Sequence, residues 1–183
     1  MKADTEHIYT IQLDELDLIE GCLRNDRSKQ KSLYYKYCDA MFTVAYRILN
    51  DHEEANDVLQ EAFLHIFTKI KQFRKESSLG AWIKTIVVHT TLKHLKEKRT
   101  FENIENIAQD NVDFIPGAID GKILEKVILS LPIGYRTVFL LVEVEGYKHK
   151  EVAEMLDISE GTSKSQLFYA KKILKEKLKN ELI

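Results

Sequence analysis

The sequence predicts an all-α protein of two small helical domains joined by an acidic linker, with a helix-turn-helix in the second domain. Three observations support this fold class. Only 7 Gly and 2 Pro occur among 183 residues, so few positions break a helix. Apolar residues recur at spacings of three and four over most of the chain, which is the period of an amphipathic helix. Residues 100–121 break this period and carry acidic residues without Lys or Arg, as expected of a linker.

Composition restricts the class of protein. Hydrophobic residues make up 44% of the chain, enough to form packed cores. The two cysteines, Cys22 and Cys38, form no C-x-x-C pair, so we expect neither a disulfide framework nor a zinc site. No run approaches the ~20 apolar residues that span a bilayer, and residues 1–12 lack the apolar segment of a signal peptide. We therefore expect a cytoplasmic protein without membrane insertion.

The first predicted domain covers residues 14–99. Its helical segments are residues 14–50, with a break at 25–28, then 52–73 and 79–98. Asp51 and Ser78 stand just before the last two segments, and both residue types cap helix N-termini. The polar residues between these segments are expected to form a loop.

The segment 52–73 has two different faces. One is an apolar stripe, and the other carries residues at positions i, i+3, i+4 and i+7: Asp57, Gln60, Glu61 and Leu64. A leucine exposed among carboxylates favours a partner surface with charge complementarity. An ordinary solvated helix face is the alternative interpretation.

The segment 79–98 carries a basic stripe that begins with an aromatic residue. Its members, at i, i+7, i+11 and i+14, are Trp82, His89, Lys93 and Lys96. Cations beside an aromatic ring suit a phosphate backbone and a stacked, unpaired base. In the alternative interpretation, Trp82 belongs to the core and the lysines form a solvated last turn that the helix dipole favours.

The second predicted domain covers residues 122–183, after the linker 100–121. Residues 148–170 have the apolar spacing of a helix-turn-helix, and Ser159 is placed to cap the second helix. With a net charge of −2, a nucleic-acid binder must concentrate its positive charge locally. Residues 164–179 do so, with six lysines and one glutamate. The predicted DNA face is Thr162, Lys164, Ser165, Gln166, Tyr169 and Lys172. Two packed helices without DNA are the alternative.

Four runs resemble the sigma-70 family of bacterial transcription initiation factors, in its extracytoplasmic-function (ECF) group. Glu54–Phe63 looks like the second helix of sigma domain two, and Phe73–Ile83 matches the pattern F-R-x-x-S-x-x-x-x-W-L. Leu131–Pro132 followed by Tyr135–Leu141 looks like the start of sigma domain four, and Glu151–Leu167 matches its helix-turn-helix. Together the runs cover nearly the whole chain in the family's order.

The resemblance implies a role for each part. Domain two would bind the β′ clamp helices of core RNA polymerase through Asp57, Gln60, Glu61 and Leu64. It would recognise and help to melt the −10 promoter element through Arg74, Lys75, Ser77, Ser78, Trp82, His89, Lys93 and Lys96. Domain four would place residues 160–180 at the −35 element, and the linker would thread towards the RNA exit path. The implied partners are core RNA polymerase, including its β subunit, promoter DNA and an anti-sigma factor.

Several positions depart from the family pattern. Asp157 replaces a common Gly, Ser163 an aliphatic residue, and His89 an Asn. Gln166 and Tyr169 stand where arginines are common, so fewer bidentate contacts to guanine are expected. The family's promoter sequences should therefore not be transferred to this chain. Ser163 would also loosen the core of domain four if its hydroxyl lacked a partner.

Three other functions explain the sequence less completely. A helix-turn-helix regulator that acts without polymerase leaves the patterns of residues 54–99 unexplained. A sigma-like interaction protein without promoter activity is compatible with the low arginine content. An enzyme is disfavoured, because His52 and Glu53 lack the second histidine of H-E-x-x-H and no phosphate-binding Gly loop occurs. We expect no catalytic residues, no metal site and no cofactor.

Overall fold

A computed structural model describes residues 14–98 and 120–181. Within these ranges all regular secondary structure is helical, which confirms the predicted all-α fold class. The chain divides into two compact units. Of the described residues, the first comprises 14–46 together with Asp51–Thr91, and the second comprises Arg47–Asn50, 92–98 and 120–181. Most of the predicted linker, residues 100–119, lies outside the described residues, and the predicted domain limits remain predictions.

The first helices of the chain are α1 (residues 14–23), α2 (Arg27–Leu49), α3 (His52–Lys69) and α4 (Leu79–Lys98). The break expected near residues 25–28 is confirmed as a turn at residues 24–26, where Asn25 has a φ of 57°. The predicted segment 52–73 is α-helical to Lys69 and continues as a 3₁₀ turn, Ile70–Gln72. The core of the first unit includes Leu33, Val58, Ile66, Ile83 and Val87.

The start and the rotation of α3 are set locally. Asp51 caps the helix as predicted, since its Oδ1 accepts hydrogen bonds from the backbone N–H groups of Glu53 at 2.9 Å and Glu54 at 3.0 Å. The apolar side of α3 is buried along its length, at Ala55, Val58, Leu59, Ala62, Phe63 and Ile66. Because a helix has a period of 3.6 residues, the opposite side is turned to solvent.

A short loop, residues 73–78, connects the 3₁₀ turn to α4. Ser78 caps α4 as predicted, with its Oγ accepting from the backbone N–H of Ala81 at 3.2 Å. Lys75 has a φ of 59°, in the left-handed region that costs a non-glycine residue energy. The rings of Phe73 and Trp82 pack together across the loop, with centroids 5.5 Å apart. The loop is therefore fixed at both ends and exposed in between.

The later helices are α5 (Gly121–Leu129), α6 (Ile133–Phe139), α7 (His149–Leu156) and α8 (Glu160–Glu181), with a π-helical turn at Leu140–Val144 after α6. Helix α8 packs against α5, α6 and α7. Buried side chains such as Val138, Leu141, Val152 and Leu174 fill the space between them. Arg136 donates to the carbonyl oxygens of Leu129 at 3.0 Å and Leu131 at 2.9 Å, which holds the turn between α5 and α6.

The turn between α7 and α8 confirms the predicted helix-turn-helix geometry. Asp157 ends α7 in the left-handed conformation, with φ 59° and ψ 47°, and so takes the conformation for which glycine is usually needed. Aspartate tolerates this conformation better than most residues because its short polar side chain bonds locally. Ser159 then caps α8 as predicted, accepting from the backbone N–H of Thr162 at 2.9 Å.

The buried hydroxyl of Ser163 has a partner. Ser163 is fully buried, and its Oγ lies 2.9 Å from Nδ1 of His149, at the start of α7. Which of the two atoms donates depends on the tautomer of His149, and in either tautomer the bond ties the first turns of α7 and α8 together. The Ser163 hydroxyl is therefore not left unpaired, and its hydrogen bond to His149 takes the place of an aliphatic contact.

We predict that Asp51→Ala lowers the free energy of unfolding of the first unit by about 1 kcal/mol, the usual effect of losing an N-cap side chain. Chemical denaturation followed by the fluorescence of Trp82 measures this change. Asp57→Ala, on the exposed side of the same helix, is the control, and we expect it to alter stability by less than about 0.5 kcal/mol. Equal losses in the two variants would contradict a specific capping role.

We also predict that the α7–α8 pair loses stability as the pH falls. Burial, and then the charge of Lys164, lower the pKa of His149 below its ordinary value, although Glu160 and Glu143 oppose the shift. The unfolded chain therefore takes up this proton first. The stabilisation is complete above the ordinary pKa of about 6.5 and is lost as the pH falls through the folded pKa.

Hydrogen exchange of α7 and α8 amides at pH 7 and pH 5, corrected for the intrinsic pH dependence of exchange, tests this expectation. Protection should fall between the two pH values in the wild type and change less in His149→Gln. His65→Gln, a change of histidine in the first unit, should respond like the wild type. An identical pH response in His149→Gln would show that another group is responsible.

Candidate functional site

The polar side of α3 presents one apolar side chain among charged groups. Leu64 is 67% exposed, the highest value for a large hydrophobic residue in the described ranges. Asp57 and Gln60 are exposed and Glu61 is half-buried. Glu61 Oε1 lies 3.4 Å from Nε2 of His65. The structure thus places all four predicted partner-binding residues on the outer side of one helix, as a leucine with an acidic border.

The loop before α4 carries the next set of predicted residues. Arg74, Lys75, Ser77 and Ser78 are all exposed, although the Ser78 hydroxyl is engaged in capping α4. Trp82 is half-buried: part of its ring contacts Phe73, and the remainder is open to solvent. Each sequence-based interpretation of Trp82, as core residue or as stacking surface, therefore describes part of its environment.

The remaining predicted residues of α4 follow the loop along one side of the helix. His89, Lys93 and Lys96 are exposed. The Nζ of Lys93 lies 3.9 Å from Glu97 Oε1, with both side chains 64% exposed. An exposed pair at this distance is weak and screened by salt, so a phosphate oxygen would readily compete for the lysine. The geometry suits contact with a nucleic-acid backbone.

The outer side of α8 presents only part of the DNA face that was predicted from the sequence. Lys164 and Lys172 are exposed and Ser165 is half-buried. Lys164 pairs with Glu160 at 2.7 Å. Thr162 is half-buried, and its Oγ1 lies 2.8 Å from Ser159 Oγ, within the cap of the helix. These four predicted residues remain accessible, and all but Lys172 lie near the N-terminal end of α8, which is the end that enters the major groove in helix-turn-helix proteins.

The structure corrects the prediction for Gln166. This residue is only 2% exposed and lies against Gly134 of α6, where a Cβ would come within 3.5 Å of Gln166 Nε2. Position 166 follows the buried Ser163 by three residues, so both point into the unit. Among the described residues Gln166 Oε1 has no hydrogen-bond partner. Gln166 therefore supports the packing of α8 and cannot reach DNA from this position.

Tyr169 is directed mainly towards α6. It is half-buried, and its ring stacks on Tyr135 with centroids 5.9 Å apart. Its hydroxyl is buried and has no partner in the part of the chain that the structure describes. Tyr169 thus lies at the edge of the predicted DNA face, with its polar atom turned inwards.

Phe168 was not among the residues predicted from the sequence to form the DNA face. It is half-buried and lies four residues after Lys164 and four residues before Lys172, in the middle of the outer stripe of α8. This spacing, i, i+4 and i+8, was available in the sequence and would have identified the residue. An apolar ring flanked by lysines is thus the central feature of this surface.

Five of the six lysines of α8 fall into two groups. Lys171 pairs with Glu143 at 2.9 Å, and Lys177 donates to Ser130 Oγ at 2.8 Å, so these two stabilise the second unit. Lys164, Lys172 and Lys179 are exposed. The positive charge available to a ligand is therefore smaller than the lysine count of the segment indicates.

Metal-binding clusters and membrane-spanning helices are both absent from residues 14–98 and 120–181. No three His, Cys, Asp or Glu side chains come together there in a way that could hold a metal ion. No helix in those ranges is long and apolar enough to cross a membrane. The cysteines are free: Cys22 is buried and Cys38 is half-buried.

Comparison with known proteins gives matches in both halves of the chain. The family described as "Sigma-70 region 2" matches residues 33–101, and the family described as "Sigma-70, region 4" matches residues 121–174. The chain is 25% identical to the RNA polymerase sigma-H factor of Pseudomonas aeruginosa, over 91% of this chain and 95% of that protein. It is 26% identical to the ECF RNA polymerase sigma-E factor of Haemophilus influenzae, over 91% of this chain and 96% of that protein.

A solved structure shows the same fold. The sigma factor RpoE from Bartonella quintana, determined in complex with the anti-sigma factor NepR, superposes with a TM-score of 0.52 at 23% identity. The match covers 81% of this chain and 96% of that one. These findings confirm the resemblance drawn from the sequence, in a family whose members are not themselves enzymes. The chain belongs to the extracytoplasmic-function group of the sigma-70 family and is a sigma factor, which directs RNA polymerase to specific promoters for transcription initiation.

Proposed function

We propose that three surfaces of this chain have separate binding roles in transcription initiation. The outer side of α3 binds core RNA polymerase, the 74–78 loop with α4 engages the −10 element, and the outer side of α8 binds the −35 element. The exposure of Leu64 within an acidic border carries this proposal, because it distinguishes a polymerase-bound factor from a regulator that needs DNA alone.

The α3 surface fits a helical partner with basic residues around an apolar stripe, which is the chemistry we assign to the β′ clamp helices. Leaving Leu64 exposed at 67% is unfavourable in water, and its burial on binding would be favourable. Asp57 and Glu61 would meet the partner's basic residues at the rim, where charge pairs set orientation and association rate more than affinity.

The loop end of the −10 surface combines two cations, a hydroxyl group and an aromatic ring. Arg74 and Lys75 would contact phosphate, while the Ser77 hydroxyl and the open part of Trp82 would lie beside an unpaired base. His89, Lys93 and Lys96 would follow the strand along α4. Together these groups would favour the melted strand over the duplex, which is the requirement for promoter opening.

The −35 surface consists of Thr162, Lys164, Ser165, Phe168 and Lys172. Lysines bind phosphate as point charges, and a phenylalanine ring in the major groove makes apolar contact with thymine methyl groups. We therefore expect affinity at this element to rest largely on the phosphate backbone and to fall steeply with salt. Gln166 is left out of this surface because it is buried.

The remaining assignments also belong to this proposal. The acidic linker, residues 100–121, threads towards the RNA exit path, where its charge repels nascent RNA. We expect an anti-sigma factor to cover the polymerase-binding and DNA-binding surfaces. The Bartonella quintana sigma factor RpoE was determined in complex with an anti-sigma factor. The protein acts in the cytoplasm and carries out no catalysis of its own, since the polymerase supplies the chemistry.

Binding to core RNA polymerase from the same source is the test of the α3 surface. We expect Asp57→Ala/Leu64→Ala to weaken binding by roughly tenfold or more, as truncation of a central apolar contact does at other interfaces. Glu20→Ala/Leu23→Ala is the matched control, because it removes an exposed acid and an exposed leucine from α1. If both double variants bind normally, the surface is wrong. If the folded wild type does not bind, direct operator binding becomes the better interpretation.

Lys75→Gly separates stability from function in the 74–78 loop. Glycine adopts the left-handed φ of position 75 without a Cβ penalty, so stability should be unchanged or rise by up to about 1 kcal/mol. Loss of the ammonium group should nevertheless weaken binding of the holoenzyme to a single-stranded −10 oligonucleotide. The slope of log affinity against log salt should become shallower by about 0.7.

Lys75→Arg is the matched control, since it keeps both the charge and the Cβ. Its salt slope should equal that of the wild type. An unchanged slope in Lys75→Gly would show that Lys75 does not contact the strand, whatever its effect on stability.

A further inference from the structure

Tyr37 links three helices of the first unit. From α2, its hydroxyl donates a hydrogen bond to Glu15 Oε1 on α1 at 2.7 Å. The edge of its ring faces Gly80 in the first turn of α4, where a Cβ would lie 3.1 Å from Tyr37 Cε1. Burial, and then the hydrogen bond to Glu15, raise the pKa of Tyr37. The phenol therefore stays protonated and continues to donate.

A Cβ at position 80 would lie closer to the Tyr37 ring than the ordinary carbon–carbon contact distance of about 3.5–4.0 Å. The site therefore has room for the hydrogen atom of glycine but not for a larger side chain. The tyrosine ring cannot move away freely, because Glu15 holds its hydroxyl. Glu15 is held in turn by Lys36, whose Nζ lies 3.4 Å from Oε1. The ring is thus a fixed support against which the first turn of α4 rests.

The position of Gly80 relates this support to the promoter-binding surface. Gly80 follows Ser78, the last residue of the 74–78 loop, by two residues, and it precedes Trp82 by two. The first turn of α4 therefore carries both the end of the loop and the ring of Trp82. Because the Tyr37 ring supports this turn, it fixes the position and direction of the loop end and of the Trp82 ring.

We propose that Tyr37 is a positioning residue for promoter opening, which acts through Gly80 on the 74–78 loop and Trp82. This inference rests on the proposed function, in which the loop engages the −10 element. Tyr37 itself does not touch DNA. Its hydrogen bond to Glu15 makes the support rigid, so the loop is already in its binding conformation when the strand separates.

Promoter opening by the holoenzyme, followed with 2-aminopurine placed in the −10 element, tests the role. We expect Tyr37→Phe and Glu15→Ala to slow opening by about two- to tenfold, the range that corresponds to one ordinary hydrogen bond. Glu15→Gln keeps an acceptor oxygen and should restore opening to near the wild-type rate. Affinity for core polymerase and for a −35 duplex should stay unchanged in all three variants.

Tyr34→Phe is the matched control on the same helix. Its ring packs on Phe63 of α3 at a centroid distance of 4.8 Å, away from Gly80, so opening should be unaffected. If Tyr34→Phe slows opening as much as Tyr37→Phe, or if Tyr37→Phe lowers polymerase affinity in proportion, the role of Tyr37 is merely structural and the proposal is overturned.

A double-mutant cycle examines the rigidity of the support. Gly80→Ala should slow opening in the wild-type background, because the new methyl group meets a ring that cannot yield. Its additional effect should be smaller in Glu15→Ala, where the ring is free to move. Effects that multiply independently would show that the two positions are not coupled, against the proposal.

Lys75→Ala, measured in parallel, separates this inference from the proposed function. If Lys75→Ala slows opening while Tyr37→Phe and Glu15→Ala do not, the positioning role is overturned and the −10 surface stands. If Lys75→Ala and Ser77→Ala also leave opening unchanged, the loop is not the −10 surface, and both proposals fall.

Discussion

Burial of the apolar side of α8 determines what the second unit presents to DNA. Ala170, Leu174 and Leu178 are almost fully buried, so the rotation of the helix about its axis is fixed. Lys164, Phe168 and Lys172 then face outwards by the period of the helix, and Gln166 faces α6. Since no other rotation buries the same side chains, the identity of the proposed recognition surface follows from packing rather than from the polar residues themselves.

The same constraint acts on the two helices that we propose to serve different partners, α3 and α4. The buried side of α3 turns Leu64 and its acidic border outwards, while the packing of α4 leaves its basic side exposed. Capping by Asp51 and Ser78 fixes where each helix begins. A sigma factor must keep polymerase binding and strand separation distinct, and separate helices with separate caps allow each surface to be placed independently.

Features that depend on neighbours in sequence could be predicted, and features that depend on distant residues could not. The three N-caps, the helix-turn-helix and the outer side of α3 follow from local spacing. The burial of Gln166 depends on the absence of a side chain at Gly134, and the partner of Ser163 is His149, 14 positions away. The contact of Tyr37 with Glu15 and Gly80 likewise joins three helices, and the hydrophobic periodicity of a sequence does not indicate contacts between such distant residues.

The π-helical turn at Leu140–Val144 has a consequence for how the chain tolerates changes in length. Its backbone bonds span five residues, as in the bond of 2.9 Å from Glu145 N–H to the Leu140 carbonyl, which amounts to one residue inserted into an α-helix. Removing one residue here would restore regular α-helix and leave the following register nearly unchanged, because the π-helical turn already absorbs the extra residue. His149 would then stay beside Ser163, so the loss of one residue should be tolerated better in this turn than within a regular α-helix.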